Sequence, residues 1–241
     1  MPFFDQRPYD IRCEWGLPAI ENLAAGDVIV VVDVLSFTTC VEIACSRGAA
    51  VLPFDRHDSS GQAYASEQGA VLAVKRGAAR GEMSLSLSPE SLMGVADGLR
   101  LVLPSPNGST IAFAARSTNA VVLAGCLRNA SAVARRANEL GQRISAIPAG
   151  ERWPDGSLRP AIEDWYAAGA IIAQCRGRRS PEAAFAAAAA GLIPIDQLED
   201  CSSARELRER GYGGDVELAF QQNVSDVVPR LVGNAFIADN G

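Results

Sequence analysis

The amino-acid sequence predicts an α/β protein, with helices covering a mostly parallel or mixed sheet, on three observations. Residues 28–34 (VIVVVDV) are an almost unbroken apolar run of β-branched side chains, the pattern of a strand buried on both faces. Short apolar runs then alternate with helix-like segments, several of which stop at a glycine. No repeat and no long Ser/Gly/Pro linker breaks the alternation, so the 241 residues read as one domain, 1–241.

In chain order, Gly26-Asp27 lead into the strand at 28–34, and residues 38–47 follow as a helix ending at Gly48. A strand at 49–54, a helical stretch at 60–68 and a strand-like stretch at 70–74 come next. Residues 76–98 are loop-rich and read as an excursion over the site. A strand at 99–103 passes through PSPNG into a helix at 109–116. A strand at 120–123 precedes an amphipathic helix at 129–140, stopped by Gly141, and another strand at 143–147. Helices are expected at 161–176, 181–190 and 202–210, the last stopped by Gly211. Residues 216–220 read only as a short apolar stretch, and Val227-Val228-Pro229 as part of the tail.

Composition removes several mechanisms. There is one lysine, Lys75, and one histidine, His57, beside 21 arginines. A multi-histidine metal cage within one chain is therefore excluded, a nucleophile–histidine relay has to use His57, and a Schiff base has to use Lys75. His57 lies in a polar stretch (FDRHDSS) and reads as a solvated loop residue. The net charge of −6 argues against a nucleic-acid surface and against an anionic membrane. No apolar run approaches the ~20 residues of a membrane span. The N-terminus, MPFFDQRPYD, lacks the basic and apolar regions of a signal peptide, so the expected location is cytoplasmic. The six cysteines show no CxxC spacing and read as small buried hydrophobes. GxSxG, GxxxxGKS and a GxGxxG after the first strand are all missing, and Leu35 rules out a DxD pair after Asp33.

What remains are polar residues at strand-to-helix junctions, where ligands bind in open α/β sheets. Asp33 ends the most apolar strand, a costly place for a carboxylate without a partner, and Ser36, Thr38 and Thr39 follow it into a helix. The bland reading is a helix cap; the functional one is an anion site with a carboxylate beside it for a hard cation. Asn107-Gly108 form a turn whose amides suit a phosphate, with Ser109-Thr110 opening the helix, and Gly125 with Arg128-Asn129 repeats this logic. Glu151-Arg152 follow the strand at 143–147, and Glu163-Asp164 lie in a first helical turn, where neighbours diverge by about 100° and only one need face a site. Acidic residues there are also ordinary dipole complements. Asp226 reads as a cap, a turn or a ligand.

These residues, in this order, resemble the 2-phosphosulfolactate phosphatase (ComB-like) family over most of the chain. The resemblance rests on Asp33-Val34-Leu35 with Thr38-Thr39, Ser88-Pro89, Asn107-Gly108, and Gly125 with Asn129. It continues through Ala149-Gly150-Glu151, Glu163-Asp164 with Ala168-Gly169, and Asp226 with Val228-Pro229. It implies a three-layer α/β/α fold with a mixed sheet. It also implies a magnesium-dependent phosphatase acting on 2-phosphosulfolactate or a related phospho-hydroxy acid, in coenzyme M biosynthesis.

On that resemblance Asp33, Glu163 and Asp164 are expected to hold Mg2+, and Asp33, Glu151 and Arg152 to carry catalysis. Ser36, Thr38, Asn107, Gly108, Ser109, Arg128 and Asn129 are expected to bind substrate, with Arg152 or Arg128 stabilising transition-state charge. A nucleophilic Asp33 is the alternative to a metal-ligand role. The expected partner is a small-molecule phosphate ester, with no nucleic acid, no membrane and room for a homodimer. The chain departs from the family where Asp-Val-Leu-Arg-Ala-Thr becomes Asp-Val-Leu-Ser36-Phe37-Thr, and where Lys75-Arg76 and Leu87 replace Gly-Glu and Asn. A lost arginine at 36 removes a bidentate clamp, which Lys75-Arg76 partly replaces. It also motivates a second reading, a catalytically impaired member that binds a small anionic ligand.

Overall fold

The computed structural model describes residues 3–55, 60–76 and 84–239. His57 and residues 77–83 of the expected excursion lie outside the described residues. The sheet strands are β1 (Ile11–Cys13), β2 (Val28–Val32), β3 (Ala50–Phe54), β4 (Val71–Leu72), β5 (Arg100–Pro104), β6 (Val121–Gly125) and β7 (Ile144–Pro148). A separate small hairpin of β8 (Glu151–Arg152) and β9 (Leu158–Arg159) follows, and β10 (Pro229–Val232) and β11 (Ala235–Ala238) complete the large sheet. The helices are α1 (Pro18–Asn22), α2 (Phe37–Ser46), α3 (Ser60–Glu67), α4 (Pro89–Leu92), α5 (Gly108–Ala115) and α6 (Ala130–Leu140). They continue with α7 (Ile162–Ile172), α8 (Pro181–Leu192), α9 (Ser202–Glu209) and α10 (Gly213–Ala219).

All five residues of β2 are buried, as its unbroken apolar run requires. Alternate side chains go to opposite faces. Val28, Val30 and Val32 join Val133, Ile171 and Ala186 beneath α6, α7 and α8. Ile29 and Val31 join Phe37, Val41 and Ile111 beneath α2 and α5. Each such side chain, fully buried, contributes roughly 1.5–3 kcal/mol. On the other half of the sheet, Leu52, Phe54 and Val102 pack on Ala65 of α3, while Val51, Leu101 and Leu103 face the cluster beneath α2 and α5. Helices thus cover both faces of a nine-stranded sheet, the three-layer α/β/α arrangement.

The strand order is β1-β7-β2-β6-β10-β11-β3-β5-β4. Two parallel blocks are joined by the β10–β11 hairpin, which pairs antiparallel with β6 on one side and β3 on the other. The sheet is therefore mixed, and the segment read as a tail closes its centre. Residues 216–220 lie mostly inside α10 rather than in an unassigned stretch; Val216 and Ala219, one turn apart, are its buried face, and the preceding Gly213-Gly214 masked the helical pattern. β1 is an unforeseen edge strand, too short for its alternation to show. All six cysteines are free and buried. No helix among the described residues is long and apolar enough to cross a membrane.

For the site, one consequence matters. Val32 is in register with Gly125 of β6 and Pro148 of β7, so the loops after β2, β6 and β7 leave the sheet at the same edge.

Candidate active site

Asp33 sits one residue beyond β2 and is 5% exposed. The backbone holds its carboxylate from two sides. Oδ1 accepts the Phe37 amide at 3.1 Å, and Oδ2 accepts the Gly108 amide at 2.8 Å, with the Ser105 hydroxyl at 3.5 Å. Thr38 closes the turn, its Oγ1 accepting from the Asp33 amide and donating to the Asp33 carbonyl. Thr39 Oγ1 donates to the Val34 carbonyl in the same way. Gly108 is required here: a Cβ would stand 2.6 Å from Asp33 Oδ2 and 2.8 Å from the Phe37 ring.

The turn after β5 also reaches the exit of β7, where Asn107 Nδ2 donates to Glu151 Oε2 at 2.9 Å. Asp164, in the first turn of α7, accepts the Val34 amide at 2.7 Å and the Gly150 amide at 3.0 Å. It ties the loop after β2 to the loop after β7. Glu163 beside it is equally buried, at 2% exposed. Both residues are therefore buried, although helical geometry requires only one of them to face a site. The first turn of α7 is embedded between the strand ends on one side and Cys201 on the other.

Four carboxylates, Asp33, Glu151, Glu163 and Asp164, thus gather at one edge, and among the described residues none of them makes an ion pair. Burial, the largest cause, pushes Asp33 up to about 6 against the amides of Phe37 and Gly108, and the Glu163 charge adds to it. Glu151 is pushed up to about 7 by burial and then by Asp33, with the Asn107 hydrogen bond opposing. Asp164 is raised well above its ordinary value by burial, Asp33 and Glu163. Mutual repulsion in a dry setting means that the cluster holds protons or a cation.

The donor set is all oxygen, which suits a hard divalent cation such as magnesium in kind. Among the described residues no three acidic, thiol or imidazole groups form a ready cage. Magnesium ordinarily takes only one or two protein carboxylates and completes its shell with water and phosphate oxygens. A cavity of about 240 Å3 opens beside Asn107, Glu151 and Arg152, with Leu158 and Ala149 in its walls. A larger hollow of about 320 Å3 near Ile20, Ile29 and Ser145 is mainly apolar, lies off the carboxylates and brings no chemistry to them.

The remaining sequence-expected residues divide. Ser36 is buried beside the cluster, its hydroxyl accepting from Arg76 Nη2 at 2.7 Å. Arg152 lies at the exposed rim, its Nη2 donating to the Pro106 carbonyl. Three others are not brought to the carboxylates, because each is engaged elsewhere. Ser109 exchanges hydrogen bonds with the Phe54 backbone and fastens α5 to β3. Arg128 pairs with buried Glu42 at 2.5 Å and also contacts Gln221. Asn129 accepts the Cys126 amide and donates to the Ala124 and Val227 carbonyls. Asp226 is exposed and paired with Arg135. Sequence reasoning missed Ser105, although it lies inside the PSPNGST segment, and Asp215, a buried carboxylate that its glycine-flanked setting gave no reason to single out.

Relatives of known name are similar to this sequence. A family model described as 2-phosphosulpholactate phosphatase matches residues 18–234. A probable 2-phosphosulfolactate phosphatase of Thermus thermophilus is 31% identical over 228 residues, covering 90% of this chain and 94% of the relative. A 2-phosphosulfolactate phosphatase of Methanothermobacter thermautotrophicus is 29% identical over 213 residues, covering 88% and 89%. A probable 2-phosphosulfolactate phosphatase of Deinococcus radiodurans is 31% identical over 216 residues, covering 86% and 88%.

Proposed function

The chain belongs to the 2-phosphosulpholactate phosphatase family, and on that premise we propose that it is a magnesium-dependent phosphatase for 2-phosphosulfolactate or a closely related phospho-hydroxy acid. One observation carries the reading: the convergence of Asp33, Glu151, Glu163 and Asp164 at the strand ends without an ion pair among the described residues. Such a cluster calls for a divalent cation, and a phosphate ester brings oxygens to complete the shell of one. Asp33, Glu163 and Asp164 are the groups to hold magnesium, in some combination; Asp164, with both oxygens on backbone amides, also keeps the two loops in place. Bound magnesium would neutralise phosphoryl charge and orient the attacking water.

The chain's own groups supply the rest. Both oxygens of Asp33 accept backbone amides, which suits a fixed anchor better than a nucleophile. Glu151, held by Asn107 and pushed up to about 7, can exchange a proton near neutral pH. It takes the proton of the attacking water as the new P–O bond forms and the ester P–O bond breaks, and this proton passes from Glu151, directly or through solvent, to the leaving alkoxide. Arg152 at the rim offers its guanidinium to the phosphoryl oxygens.

The test is release of inorganic phosphate from 2-phosphosulfolactate and from phospholactate, measured with magnesium and with EDTA. Magnesium-dependent release from at least one of them is expected. No release from either, in any divalent metal, rejects the phosphatase and leaves a binding protein for small anions.

A further inference from the structure

We infer that Arg76, with Lys75 and Arg210, forms a second anion subsite beside the carboxylate cluster, selecting phosphate esters that also carry a carboxylate or sulfonate. The inference rests on the phosphatase reading of that cluster. Arg76 lies just past β4, and its side chain is 14% exposed. Its Nη2 donates to Ser36 Oγ at 2.7 Å and stands 3.2 Å from Asp215 Oδ2, while the guanidinium lies over the Tyr212 ring. Ser36 directly precedes Phe37, whose amide holds Asp33. The buried Cys40 thiol, one turn into α2, feels both the Arg76 and the Asp33 charge. The guanidinium is thus anchored on the loop that positions Asp33.

Its other anchor is built for the purpose. Asp215 is completely buried and accepts the Ser88 hydroxyl at 2.6 Å and the Glu90 amide at 3.0 Å. It cannot move toward solvent, so it fixes the arginine rather than following it. Among the described residues both polar contacts of the Arg76 side chain run through Nη2, and Nε is buried with no hydrogen-bond partner. The remaining edge of the fork is outside these contacts. Beside it opens a cavity of about 340 Å3 lined by Lys75, Arg76 and Arg210, with Leu87 and Pro104 as apolar walls. Pro104 adjoins Ser105, whose hydroxyl points at Asp33. A planar guanidinium with two basic neighbours, next to a site that would hold a phosphate, suits a second planar or tetrahedral oxyanion on the same small molecule.

The test compares selectivity, read as kcat/KM for phospholactate divided by kcat/KM for phenyl phosphate, which has no second anion. The proteins are wild type, Arg76→Gln, Arg76→Lys and Arg210→Gln. Loss of a charge-assisted hydrogen bond predicts a ratio lowered roughly 10- to 100-fold in Arg76→Gln, partly restored by lysine, and lowered several-fold in Arg210→Gln. Equal ratios in all four overturn the inference while leaving the phosphatase standing. If wild type releases phosphate from neither of these esters nor from 2-phosphosulfolactate, the phosphatase reading falls and the melting shift decides the subsite. A shift larger with phospholactate than with inorganic phosphate, and reduced in Arg210→Gln, supports it; equal shifts overturn it. Among the described residues Arg210 makes an ion pair only with its neighbour Glu206, so that variant keeps the fold if Arg76→Gln does not.

Discussion

Removing the charge of Glu151 isolates the electrostatic tension of the carboxylate cluster. Its carboxyl is pushed up to about 7 from an ordinary 4.5. A raised folded-state value means that the protonated form is favoured by folding. The associated stability is fully present below about 4.5 and is lost as pH rises through about 7. For these two values the loss between pH 5 and pH 8 is about 2–3 kcal/mol. In a chain of this size that corresponds to a fall in melting temperature of about 5–10 °C. Glu151→Gln keeps the volume, and its carbonyl still accepts from Asn107, but it has no charge to bury. Asp33, raised to about 6, contributes in the same direction, so the variant keeps a shallower slope rather than a flat one. The assay is thermal unfolding of EDTA-treated wild type and Glu151→Gln at half-unit pH steps from 5 to 8. The expected result is a wild-type decline that is smaller in the variant by about 2–3 kcal/mol and smaller in wild type when magnesium is added. Identical slopes in the two proteins, or wild-type stability rising with pH, refute the reasoning that these carboxylates are buried against one another.

Three substitutions probe the supports. Gly108→Ala forces a Cβ to 2.6 Å from Asp33 Oδ2, and misplacing an anchor on this scale is expected to lower kcat about 100-fold; a rate within threefold of wild type in steady-state kinetics counts against the contact. Asp164→Ala strands the buried amides of Val34 and Gly150 and is expected to cost about 2–4 kcal/mol in urea unfolding, whereas Asp164→Asn, which retains one acceptor, costs less; equal losses contradict the role of two acceptors. Arg128→Met leaves Glu42 uncompensated in the interior and is expected to cost about 3–5 kcal/mol by the same measurement, with KM for the phosphate ester little changed; a large KM effect with full stability returns Arg128 to the substrate site.

Asp33 was legible because a carboxylate at the end of an otherwise apolar strand needs an explanation, and the strand itself fixed which edge of the sheet it occupies. Asn107-Gly108 was legible as a turn, but the reason for its glycine was not. That reason is the approach of Asp33, 75 residues away in sequence. Glu163 and Asp164 illustrate the limit of helical periodicity, which gives the angle between two side chains and not how much of the helix is enveloped. Arg128 and Asn129 follow a strand as binding residues would. Their partners Glu42 and Val227 lie 86 and 98 residues distant, and no local pattern shows that these bonds exhaust them. The β10–β11 hairpin was hidden for a similar reason. Pro229 opens β10, and the pairing of β10 with β6 and of β11 with β3 depends on tertiary neighbours, not on local sequence.

The most direct test of the strand-end cluster as the seat of ester hydrolysis is the phosphate-release rate of Asp33→Ala and Glu163→Gln measured beside Asp226→Ala. Asp226 is an exposed carboxylate paired only with Arg135 in the described contacts. The expected result is a fall of about a thousandfold or more for the first two and a rate within twofold of wild type for the third. An Asp33→Ala enzyme that turns over at the wild-type rate contradicts it.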